Sequence, residues 1–395
     1  MKRTHTLIII YIEIFLIIIL FIRFNNLLFR RLEKSDENYV RKNVEESIAS
    51  FNSSYSPHPY LGFVLDYGVD NTSNKFGFNG DEIIFKTDKN DYIVGIFGGS
   101  VAQGFYSVEK DYFISELKSK LKDKNIKVYS FALGGYKQPQ QLLTLEYFLA
   151  LGYKFDLIIN IDGFNEAALP LAENYNENVS TYFPRNWDLY STQYFDSTVV
   201  SLVNKINIIK STQKYLTRFS GVVVYLPNKI IGLLYNKYQI ALNNRIVSLT
   251  KTYQARGPQT YMNKSENEIK EDVVNVWYNS SLQMSYIAKS NNVQYLEFLQ
   301  PNQYLPNSKH FSQEELDKYI KMDTPYASSA SIMYPRIVNK VSELRNKGVE
   351  IYDLTNLFIN EQITIYADDC CHFNEKGYSL LTKSVIQAIG VSLSD

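Results

Sequence analysis

From Asp91 onward the chain alternates short, continuously apolar runs with longer helical ones, and that alternation constrains the fold more than any other feature of its 395 residues. "YIVGIFGG", "IKVYSFALGG" and "FDLIINIDGF" have strand length and no polar face; helical stretches follow near Tyr112 to Lys122 and from Gln138 to Leu151. Later come "NVQYLEFLQP", a helical region around Ser312 to Lys347, "VEIYDLTNLF", and a last helix from about Glu375 to Ile389. Strands apolar on both faces belong to a parallel sheet covered by helices on both sides. The expected fold is therefore α/β, a three-layer α/β/α sandwich with a central parallel sheet, flavodoxin-like in layout. In such sheets ligands gather at the carboxyl ends of the strands.

The strand ends carry chemistry. The first runs into "FGGSVAQG", a tight strand-to-helix turn that also delivers a lone hydroxyl, Ser100, between residues without bulk. The second ends at Gly134 and Gly135, and the third at Asp162, Gly163, Phe164, Asn165 and Glu166. Of four histidines, His5 precedes an apolar run, and His58 and His310 lie in polar loops. His372 falls in "YADDCCHFNEKGYSLL" just before the last helix, with Asp369 three residues ahead. A carboxylate so placed can hold one ring nitrogen while the other faces a serine. The only cysteines, Cys370 and Cys371, are adjacent and form neither a disulfide framework nor a zinc pattern. A disulfide between neighbours needs a strained ring, so two small side chains packing under the loop is the favoured reading. No metal and no cofactor is expected. With 41 basic and 41 acidic residues, the chain lacks the basic surface of a nucleic-acid binder.

From Asp91 to Ile389 these blocks resemble the SGNH hydrolases, the GDSL-like esterases and acyltransferases. The resemblance implies that Ser100 is the nucleophile, with Gly99 where the family usually has aspartate. It implies an oxyanion hole of the Ser100 and Gly135 amides, Gly134 being the second choice, and the Asn165 side chain. The usual Gly-x-Asn-Asp block is "GFNE", with Glu166 in the aspartate's place, and Asp-x-x-His is "DCCH", giving Asp369 and His372. The implied activity is a serine esterase removing acyl, above all acetyl, groups from a cell-envelope or secreted glycan. An O-acyltransferase to a glycan hydroxyl and a catalytically silent glycan-binding scaffold stay open beside it.

The remaining segments suggest a tether and an insertion. Leu7 to Ile22 is apolar except for Glu13, slightly short of the about 20 residues a bilayer span needs, and Arg23 can snorkel to lengthen it. Residues 1–30 read as an N-terminal transmembrane helix, 31–90 as a stalk and entry segment, and 91–395 as the hydrolase-like domain with a helical insertion over about 167–279. That insertion suits a lid, a membrane-facing surface, an oligomer contact or a plain helical subdomain. Arg23, Arg30, Arg31 and Lys34 outnumber Lys2 and Arg3, which leans toward a cytoplasmic body. The family resemblance implies a periplasmic or cell-surface one, and that is the expectation. Protease added to intact cells or spheroplasts should then cut the body, whereas protection until permeabilisation would favour the charge count.

Overall fold

The computed structural model describes residues 55–67, 72–84, 88–187, 190, 197–216, parts of 230–244, 257–258 and 263–392. The segment expected to anchor the chain, 1–30, lies outside the described residues; among those described, no helix is long and apolar enough to cross a membrane.

A hairpin opens the described chain, β1 (Tyr55–His58) with β2 (Gly62–Leu65). Then follow β3 (Asp91–Gly98), α1 (Ser100–Lys120), β4 (Asn125–Ala132), α2 (Gln140–Ala150), β5 (Leu157–Asp162) and α3 (Phe164–Leu169). A π-helical turn, Pro170–Tyr175, continues α3, and α4 (Ser197–Leu216) lies in a second compact unit. The main unit resumes with α5 (Glu266–Ser290), β6 (Gln294–Leu299), α6 (Gln313–Lys318), α7 (Pro325–Asn346), β7 (Ile351–Asp353) and α8 (Glu375–Ser392).

Five strands form one parallel sheet in the order β4-β3-β5-β6-β7. This order follows from the sequence pattern once crossovers are right-handed. The chain steps from β3 to β4, reverses, and then advances through β5, β6 and β7. The helix after β3 therefore covers one face, and those after β4, β5 and β6 cover the other. The packing agrees: α1 lies against α8, while α2, α5 and α7 form a continuous second layer. The reversal puts a topological switch point between the ends of β3 and β5, where a ligand crevice is expected.

Every residue of β5 is buried, its two polar members included, and Asn160 Nδ2 donates to Asp162 Oδ2 at 3.0 Å. On the sheet the aromatic rings interlock: Phe97 stacks on Phe131 at 4.9 Å, and Phe148 meets Phe131 edge-on at 4.6 Å. Such paired rings add to the burial of their own area.

Two boundaries differ from expectation. Residues 55–65 are part of the globular unit and not of a stalk: Leu61 and Phe63 are buried in its core, Tyr136 Oη donates to the Phe63 carbonyl at 2.6 Å, and Gln140 Nε2 to that of Leu61 at 2.9 Å. The insertion is also shorter than 167–279. The described residues up to Tyr190, and those from Gly257 on, belong with the sheet, because α3 and α5 both pack against α7. Phe131→Ala should lower stability by about 3–5 kcal/mol, since its fully buried ring is surrounded by other aromatics. A denaturant midpoint close to that of the parent chain would contradict this packing.

Candidate active site

Ser100 is the first residue of α1, and its helix start is bare. Gly99 at the N-cap offers no side-chain oxygen, and the first turn holds no acid. The amides at this end of a 21-residue helix therefore face the crevice unmatched, at the positive end of the helix dipole.

The loop after β4 adds a second donor. The Gly134 N–H is already used, donating to Gln103 Oε1 at 3.0 Å. Gly135 sits at φ 82°, where a side chain would be strained, and among the described residues its N–H meets no acceptor. Of the two glycines read as alternatives, Gly135 is the one with an open amide. Gly134 remains close by: a Cβ built there would stand 3.9 Å from Ser100 Cβ.

Asn165 supplies a third group. Its Nδ2 donates one hydrogen to the Tyr136 carbonyl at 2.7 Å, which leaves the other for a ligand. A Cβ on Gly99 would lie 2.2 Å from that nitrogen. An aspartate at 99 would displace the amide, which gives a physical reason for glycine there. Glu166 stands behind, buried, with its carboxylate accepting from Gly163 N at 2.8 Å, Gln138 N at 3.0 Å and Gln141 Nε2 at 2.9 Å.

The histidine loop corrects one expectation. The carboxylate on His372 Nδ1 belongs to Asp368, not Asp369. Asp368 Oδ1 also accepts the N–H groups of Cys370, Cys371 and His372 at 2.9, 3.1 and 3.2 Å, curling the chain so that residue 368 faces the ring. Asp369 is exposed on the outside of this curl, and only its backbone carbonyl is held, by the Tyr304 hydroxyl. Asn302 Nδ2 and Gln303 Nε2 grip the carbonyls of Cys370 and Asp368 at 3.3 and 3.0 Å. Three consecutive residues after β6 thus fix the loop.

Protonation follows from these contacts. Burial works to raise the Asp368 carboxyl, but the hydrogen bond and charge of His372, with the backbone donors, hold it down at about 2. The Asp368 hydrogen bond in turn raises His372 above the ordinary imidazole value, against the opposing effect of burial. Burial pushes the Cys371 thiol well up, while a hydrogen bond with Cys371 draws the Cys370 thiol down.

Ser100 and His372 make no direct hydrogen bond to one another among the described residues. Cys371 lies near both: its Sγ is 3.9 Å from Ser100 Oγ and within 4.8 Å of a His372 ring nitrogen. Catalytic hydrogen bonds are commonly long before substrate arrives.

Several wall residues carried no signal in the sequence. Arg185 clasps Glu173 through Nε at 2.9 Å and Nη2 at 2.6 Å, and Nη2 also reaches Tyr326 Oη at 3.3 Å. Its Cδ would be 2.8 Å from a Cβ on Gly135, so it flanks the open amide. The Tyr55 hydroxyl would be 3.1 Å from a Cβ on Gly134, and Tyr190 packs 6.1 Å from Tyr55. Each arrives through tertiary contact from a loop with no motif.

No protein-family model matches the chain, and no curated protein is similar to it. Among solved structures it is similar to a GDSL-like lipase from Bacteroides thetaiotaomicron, at 11% identity and TM-score 0.35, over 78% of this chain and 93% of that one. It is also similar to a catalytic mutant of Axe2, an acetylxylan esterase from Geobacillus stearothermophilus, at 10% identity and TM-score 0.35, over 78% and 97% of the two chains. A second Axe2 mutant, described as an acetyl-xylooligosaccharide esterase, gives 10% identity and TM-score 0.36 over 77% and 95%. At such low values the likeness decides nothing about the site.

The His372 pair makes a signed prediction. If His372 serves as a general base, it works only when neutral, and its raised pKa would place the acid limb of turnover above the ordinary histidine value. Asp368→Asn removes the raising group: the acid limb should move to lower pH while turnover falls steeply, by up to about ten-thousandfold. Asp369→Asn should change neither. A pH–rate profile of the two variants separates them, and the reverse result would restore Asp369.

Proposed function

We propose that the protein is a serine ester hydrolase that removes acyl groups, acetyl above all, from a cell-envelope or secreted glycan. The observation that carries this reading is the convergence on Ser100 of an uncapped helix start, the open Gly135 amide and the spare hydrogen of Asn165. Neutral ligands have little use for three unmatched donors around a hydroxyl, whereas a developing oxyanion does.

In this mechanism His372 Nε2 takes the proton of Ser100 Oγ as the oxygen attacks the ester carbonyl, Nδ1 being held by Asp368. Negative charge forming on the carbonyl oxygen is received by the Ser100 and Gly135 amides and Asn165 Nδ2. The imidazolium, stabilised by ionised Asp368, returns the proton to the departing sugar oxygen. Water, deprotonated by the same histidine, then releases the acid from Ser100. Loss of one oxyanion donor costs about 3–4 kcal/mol in the barrier.

The partly exposed Tyr55 and Tyr326, the latter beside Arg185, offer aromatic surface suited to a sugar ring, which supports a glycan alcohol. The same acyl-serine resolved by a sugar hydroxyl would make an acyltransferase. A membrane anchor in 1–30 and an extracytoplasmic body belong to this proposal. Ser100→Ala and His372→Ala should each abolish ester turnover while the folded state is retained, as read by circular dichroism. Turnover at the parent rate in either variant would sink the assignment. Release of free acetate from acetylated glycans would mark a hydrolase, and its appearance on an added sugar a transferase. No serine-dependent product in either assay would leave a glycan-binding scaffold.

A further inference from the structure

The mechanism leaves two thiols unused, and they sit beside the histidine the mechanism needs. Cys370 Sγ and Cys371 Sγ are 3.4 Å apart, and these sulfurs and a His372 ring nitrogen all lie within 4.8 Å of one another. Both cysteines are free. His372 Nδ1 is committed to Asp368, so the nitrogen available to a ligand is Nε2. We propose that Cys370, Cys371 and His372 Nε2 form a binding site for a thiophilic divalent ion of the zinc type, which silences the enzyme by occupying the nitrogen that would serve Ser100.

The geometry suits such an ion. Tetrahedral coordination with metal–sulfur bonds of about 2.3 Å spans an S···S separation of about 3.8 Å, close to that of the resting pair. Two sulfurs and one nitrogen make a three-ligand set with one position open. Ser100 Oγ, 3.9 Å from Cys371 Sγ, stands near the set. The Asp368 carboxylate behind the ring is the partner that orients metal-binding histidines and strengthens their donor nitrogen.

The site is also built in advance. Asp368 Oδ1 fixes the three successive N–H groups of residues 370–372, and Asn302 fixes the carbonyl of Cys370. Little chain entropy is lost on binding. Cys370 and His372 are partly exposed and give entry, while buried Cys371 forms the floor. Binding would release the two thiol protons to solvent, and the two thiolates would balance the charge of the ion.

The inhibitory half of this inference rests on the esterase reading; the metal site does not. The test uses the full chain, reduced and freed of metal, titrated with Co2+ as a spectroscopic probe and then with Zn2+. The expected result is a thiolate-to-cobalt charge-transfer band that saturates at one ion per chain and is bleached by Zn2+. Ester turnover should fall about tenfold or more at one equivalent of Zn2+ and return with a chelator. In Cys370→Ser, compared with its own metal-free rate, the band should weaken. The Zn2+ needed for half-inhibition should rise about tenfold or more. Absence of the band in the parent chain, or equal band and inhibition in Cys370→Ser, overturns the site. A band that saturates in a chain without any ester turnover would keep the site and overturn the esterase reading instead.

Discussion

The buried carboxylate of Glu166 is the tie on which the site depends. It joins two loops that come from different strands: Gly163 N belongs to the turn after β5, and Gln138 N and Gln141 Nε2 to the start of α2 after β4. The first loop carries Asn165 and the second carries Gly135. Burial raises the Glu166 pKa, and the backbone and amide donors pull it back toward the charged form. A carboxylate inside a protein is costly unless such donors surround it, so the arrangement is all or nothing. One methylene more than aspartate lets the side chain cap its own helix at Gly163 and still reach the neighbouring loop. This explains how "GFNE" can hold the geometry expected of Gly-x-Asn-Asp.

A second tie extends the same wall. Lys137, adjacent to Gln138, is buried and directs its ammonium to the Thr181 and Phe183 carbonyls at 2.8 and 2.6 Å. Burial draws its pKa down to about 7, opposed by the nearby charges of Glu166 and Glu173. Asn174 Nδ2 grips the Ser180 and Phe183 carbonyls from the other side. Two residues later the chain presents Arg185, clasped by Glu173 and Tyr326. The loop that carries Gly135 and the arginine wall are thus positioned by one connected set of hydrogen bonds. Movement in either would be felt at Gly135.

Much of this was legible in the sequence, and what was not has a physical cause. The sheet was legible because strands buried on both faces cannot hide: β3, β4 and β5 fall on the quoted apolar runs, and Ser100 and Asn165 stand at the ends predicted for them. The acid was misread by one position. "DDCCH" offers two carboxylates, and spacing alone favours Asp369, but three backbone amides converging on Asp368 Oδ1 turn the other residue inward. The hairpin at Tyr55–Leu65 looked like stalk because the segment around it is polar and its strands are only four residues long. Its burial comes from Tyr136 and Gln140, which no local pattern discloses. Arg185 escaped for the same reason, since only the fold brings it to Gly135.

Cys371 shows how closely the proposed activity and the proposed metal site are joined. If Ser100 is the nucleophile, the residue touching its hydroxyl has to be small and inert. Buried and with its pKa pushed well up, the Cys371 thiol meets both conditions. Alanine would fill less of the space beside Ser100, and serine would offer a competing hydroxyl. A thiol is the residue that packs like a hydrophobe and still meets a hydroxyl on gentle terms. The same choice sets a sulfur within 4.8 Å of a His372 ring nitrogen, and Cys370 next to it supplies a second one at 3.4 Å. The side chain that packs against the proposed nucleophile therefore also belongs to the donor set proposed for a thiophilic ion, and in that reading substrate and metal would compete for one histidine.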